Sequence, residues 1–146
     1  MRIACPLIAG FVLVACANTF STTYKGTGPA SEAMSWAKRA QERYEQLEAS
    51  ASPEEKNAIS SVRVFVDSIP NELAVADSTV GVREGSGAKL LGKVHVIAQL
   101  KAPDAEEAIP TLQMVAYAAG ANLAYCPVEG LGHNCYLVRA AEPATQ

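Results

Sequence analysis

Two short stretches limit what this chain can become. VRVFVD (62–67) alternates Val62, Val64 and Val66 with Arg63, Phe65 and Asp67, and KVHVIAQL (93–100) alternates Val94, Val96 and Ala98 with His95, Ile97 and Gln99. A period of two is the mark of a strand with one buried face. Between and before these stretches the period lengthens. Ala33, Ala37, Ala40, Tyr44 and Leu47 form one apolar seam, and Ile109, Leu112, Val115, Ala116 and Ala119 form another. Apolar residues recurring every three or four positions belong to helices. A chain that changes period in this way predicts an α+β domain. We expect a small sheet of three to five strands with one main helix packed across it, preceded by a tether and an N-terminal helix.

Local signals place the boundaries. Ser52, Pro53 and Glu55 supply an N-cap, a first-turn proline and a capping-box carboxylate, which predicts a short second helix to about Ser60. Asp104 and Glu107 offer the same box for the main helix. Pro110 predicts a kink in its first turn or its true start, and Gly120 suits the left-handed residue that ends it. NLAYCPV and NCYLVRAA, joined by EGLGH, read as a hairpin. The stretch between Ile69 and Ala88 reads as mostly irregular, with a short strand around Val80–Arg83.

The N-terminus carries a different message. Met1-Arg2 is followed by an apolar run to Ala17, broken only by Pro6 and Gly10. One early cation, a short apolar stretch and small residues at its end describe a secretory signal. The run is short of the roughly 20 residues that a membrane-spanning helix needs. Its end, Leu13-Val14-Ala15-Cys16, resembles the lipobox of bacterial lipoproteins. That resemblance implies cleavage before Cys16 and acylation of it, with membrane lipid as the first partner. Residue 17 is Ala rather than the inner-membrane retention Asp, which implies the periplasmic face of the outer membrane in a Gram-negative cell. An ordinary signal peptide cut nearby is the rival.

The expected organisation is then a signal peptide over 1–15, a lipidated cysteine and flexible tether over 16–30, a helical segment over 31–60, an α+β domain over 61–141 and a tail over 142–146. The mature chain has 131 residues and a formal charge of −4, with no basic stripe interleaved with aromatics, so nucleic acid is not an expected partner. Of four cysteines, cleavage discards Cys5 and lipid takes Cys16, which leaves Cys126 and Cys135. Flanking a hairpin loop, these two can reach disulfide distance, worth roughly 2–3 kcal/mol. The alternative is metal, with Cys126, His133 and Cys135 as ligands and His95 or a carboxylate completing the set. Its C-x6-H-x-C spacing matches no common zinc pattern.

From about Leu91 to Ala141, with LGKVHV, AAGANLAYC and CPVEGLGHNCYLVRA, the chain resembles the Rcs envelope-stress sensor lipoprotein family and related small lipoproteins. The resemblance implies an outer-membrane sensor that binds other envelope proteins and catalyses nothing. It also implies that Cys126 and Cys135 match two of that family's four disulfide cysteines. The other two are absent, and an Ala-rich helix stands where the family has a Pro-rich tether. No nucleophile-elbow pattern occurs, and the Gly-Ser-Gly and Gly-Leu-Gly triplets lack a phosphate-binding context. No cofactor and no catalytic residue are expected. The paired acids Glu54-Glu55 and Glu106-Glu107 read as first-turn residues. The alanine seam from Ala33 to Leu47 reads as a helix lying on its own domain, with docking to a partner or a second copy as the alternatives.

Overall fold

The computed structural model describes residues 7–8, 11–12, 21–77, 79–97, 104–127 and 132–141. Cys16, most of the signal segment, tether residues 16–20 and the tail over 142–146 lie outside them. Leu7–Ile8 (β1) and Phe11–Val12 (β2) pair as a small antiparallel ladder of their own. The domain follows: β3 Ser21–Gly26, α1 Ala30–Ser50, α2 Pro53–Ser60, β4 Arg63–Val66, β5 Leu73–Ala76, β6 Thr79–Val82, β7 Lys89–Ile97, α3 Asp104–Ala118, β8 Leu123–Cys126 and β9 Gly132–Arg139. It is the α+β class that the change of period predicts.

Five strands form the main sheet in the order β3-β7-β9-β8-β4. All neighbours are antiparallel except β4 and β8, which run parallel with Val66 beside Cys126. All three helices contribute to the core on one face. Val94, Val96, Ala124, Cys126, Cys135 and Leu137 from the sheet meet Ala40, Tyr44, Leu47, Ile59, Leu112, Val115 and Ala116 from the helices. The β5–β6 hairpin covers part of the opposite face, where Leu73 packs with Leu123, Tyr125 and Val138. Strand β8 is therefore buried at all four positions. That is why NLAYCPV reads as a continuous apolar run and not an alternation.

The local signals act as their chemistry requires. The Ser52 hydroxyl accepts from the Glu55 N–H at 3.1 Å, and the Glu55 carboxylate accepts from the Ser52 N–H at 2.9 Å. Gly120, at φ +83°, ends α3 in a Schellman motif: its N–H reaches Tyr117 O, and the Ala121 N–H reaches Ala116 O. Pro110 lies inside α3, so the helix begins ahead of it. The side chains of the Asp104–Glu107 box lie outside the described residues. Gln113 ties α3 to the end of α2 by donating to Ser60 O and Val62 O.

Two expectations need correction. Residues 21–26, read as tether, are strand β3, paired in register with β7 from Ser21↔Ile97 to Gly26↔Gly92. An edge strand needs few apolar residues, and among its described side chains Tyr24 is buried between exposed Thr23 and Lys25. The stretch after Pro70 is not irregular but holds the β5–β6 hairpin. Its turn places Asp77 at φ +49°, which a short polar side chain tolerates. Only Leu73 of β5 is buried, so no alternation marks the strand.

The alanine seam lies on its own domain. Ala40, Tyr44 and Leu47 are buried in the domain's own core, and Ala33 and Ala37 are partly buried.

Candidate functional site

The expected disulfide is present. Cys126 and Cys135 stand directly across the β8–β9 hairpin with α-carbons 4.2 Å apart, and both are buried on the helix side of the sheet. The pair closes a short loop at one end of the sheet. Among the described residues no group of three or more His, Cys, Asp or Glu could hold a metal ion. His95 faces away from the core, its Nδ1 3.3 Å from Asn134 Oδ1. His133 pairs with Val96 in the ladder, and its side chain lies outside the described residues.

A groove occupies the opposite end of the sheet, and it starts from two glycines. Gly26 and Gly92 face each other across β3 and β7, and the indole of Trp36 lies on both. A Cβ on Gly92 would stand 2.8 Å from that ring and 2.6 Å from the Lys25 carbonyl oxygen. Leu91 is the extra residue of a β-bulge, which sets it and Gly92 toward the same face. Tyr24 meets the indole edge-on with centroids 5.9 Å apart. Its hydroxyl donates to the Val115 carbonyl at 2.8 Å, which joins β3 to the last turn of α3. Burial above all, with Tyr44 and Glu48 nearby, holds the Tyr24 phenol far above its ordinary pKa, so it remains a donor.

On this seat Trp36 divides two clefts. One, of about 430 Å³, runs between α1 and the end of α3 and is lined by Arg39, Arg43, Tyr117 and Arg139. The other, of about 560 Å³, lies over the start of β7 and is lined by Arg39, Lys89, Leu91 and Glu32. The Arg43 guanidinium lies 5.3 Å from the Tyr117 ring centroid. The chain carries a net charge of −3, yet among the described residues these clefts are lined by four cations and a single carboxylate.

In the sequence Arg39 and Arg43 fall outside the apolar seam of α1, among its other charged residues, and no local signal marks Lys89 or Arg139. Nothing local connects residues 100 positions apart in the chain; only the Gly26–Gly92 pairing and the course of β9 bring them to one place. No protein-family model, curated protein or solved structure matches the chain.

Proposed function

We propose that this chain is a lipid-anchored envelope protein without catalytic activity, a binding or sensing module held at the periplasmic face of the outer membrane by acylated Cys16. The observation that carries the reading is the use of the cysteines. The folded domain joins Cys126 to Cys135, so removal of residues 1–15 leaves Cys16 as the one remaining thiol, at the end of a signal-like run. Acylation accounts for it. Among the described residues no helix is long and apolar enough to cross a membrane. The sensing role and an envelope-protein partner rest on the resemblance of residues 91–141 to the Rcs family.

The fold sharpens the geometry of such an anchor. Four residues, 17–20, separate Cys16 from the start of β3. At roughly 3.3–3.6 Å per residue they span less than about 20 Å. The Ser21 end of β3 is also the end at which β7 finishes and β9 begins. The Gly26 end, with its two clefts, is then the membrane-distal pole, about 17 Å farther out along β3.

Intact mass spectrometry of protein extracted from its own membranes tests this. A chain beginning at Cys16, heavier by its acyl groups and gaining about 2 Da on reduction, is the expected result. An unacylated chain refutes the anchor.

A further inference from the structure

We propose that the two clefts meeting at Trp36 form a binding site for an organic polyanion bearing carboxylate or phosphate groups, held by Arg39 and Lys89 against the indole. The inference rests on reading the chain as a binding module, and does not depend on the anchor.

The first argument is charge. Among the described residues that line the two clefts, Glu32 is the one carboxylate, set against Arg39 and Lys89. Neither Arg39 nor Lys89 forms an ion pair with another described residue. Gathering cations in this way raises the energy of the free protein, and an anion that bridges them recovers it. Arginine adds a planar fork that matches the two oxygens of a carboxylate or phosphate.

A structural role explains part of the cluster. Cations favour the C-terminal end of a helix, and Arg43 and Arg139 line the cleft at the end of α3. That account does not extend to the second cleft. It is lined by Lys89 and Arg39 and by no described residue of α3.

The second argument is rigidity and shape. Trp36 is fixed by two backbones beneath it and by Tyr24 at its edge, so little freedom is lost when a ligand packs on it. Both clefts fall within the range of small-molecule sites, roughly 300–1,000 Å³. Since they share Trp36 and Arg39, the site suits an elongated ligand with charges on either side of an apolar or ring-shaped centre better than a single small ion.

Trp36 is the only tryptophan of the chain, so its fluorescence reports on this site alone. The experiment titrates the full chain in nonionic detergent with citrate and, separately, with inorganic pyrophosphate, against sodium chloride at matched ionic strength. The expected result is a saturable change with at least one of the two and none with chloride. The carboxylate and phosphate arms identify which group the site prefers. Arg39→Gln and Lys89→Gln should each weaken binding by about tenfold or more, and Arg39→Lys should restore part of it. Both positions are on or near the surface, and unchanged thermal unfolding of the variants establishes that they fold. Fluorescence that follows ionic strength alone, or titrations that are identical in the wild type and both glutamine variants, would overturn the proposal.

Discussion

Replacing Gly92 with alanine tests the packing of Trp36 by the smallest available change. The new methyl carbon would meet the Lys25 carbonyl oxygen at 2.6 Å and two ring carbons of Trp36 at 2.8 Å. Contacts below 3.0 Å force something to move. The oxygen belongs to β3, which cannot retreat without stretching its ladder to β7, so the indole must tilt or the strands must part. Overpacking of this kind costs about 1–3 kcal/mol. Alanine also restricts the unfolded chain, which offsets about 0.4–1 kcal/mol. The net expectation is a loss of about 1–2 kcal/mol, or roughly 3–10 °C in Tm for a domain of this size. Gly81→Ala is the control. It too lies in a strand, no positive φ marks it, and a Cβ there meets nothing within 4 Å. It should be neutral or slightly stabilising. Thermal unfolding by circular dichroism measures both, and the emission maximum of Trp36 should shift in Gly92→Ala alone. Equal melting temperatures for the two variants would refute the account of Trp36 resting on paired glycines.

Three further outcomes follow from the structure. Tyr24→Phe removes the buried hydroxyl that donates to the Val115 carbonyl, which should cost about 1–2 kcal/mol in urea unfolding. Cys126→Ser with Cys135→Ser releases a loop of nine residues' separation and should cost roughly 2.5 kcal/mol, with the loss reproduced in the wild type by reductant. Acidification should destabilise through Glu55 and Glu72. The Ser52 backbone N–H, then its hydroxyl, holds the Glu55 carboxyl below 4.5, and the Arg63 guanidinium does the same for Glu72. Carboxylates depressed in the folded state stabilise it above their unfolded pKa, and that contribution fades as pH falls through the folded value. Tm should therefore decline below about pH 4.5, and Glu55→Gln together with Glu72→Gln should flatten the decline.

Elements were legible in the sequence wherever one local rule decided them. The capping box at Ser52, the alternation of Val94 and Val96, the hairpin around Cys126 and Cys135 and the stop at Gly120 each needed a few adjacent residues. Strand β3 was not legible, because STTYKG carries one large apolar residue and so gives no hydrophobic period, and its pairing with β7 spans some seventy residues. Strand β5 escaped for a similar reason: alanines on an exposed hairpin carry almost no hydrophobic signal. The groove was hidden more deeply. Arg39 sits among other charges on α1 and reads as a solvated residue until a bulge in β7 and two facing glycines bring the indole beside it and Lys89 across from it. Cys16 is the reverse case, a residue assigned from sequence pattern alone.

Strand β3 also has a mechanical consequence. If the acylated cysteine is the point of attachment, any pull on the domain reaches it through Ser21, along the axis of an edge strand whose six residues pair with β7. A ligand held at the far pole would pull the other way. The β3–β7 ladder would then carry tension in shear, with all its hydrogen bonds strained together and none peeled off singly. Tyr24 and the indole, one strand and one helix from that line of force, would sense its slippage first, and an edge strand could serve as a tension gauge between a membrane and whatever the outer pole grips.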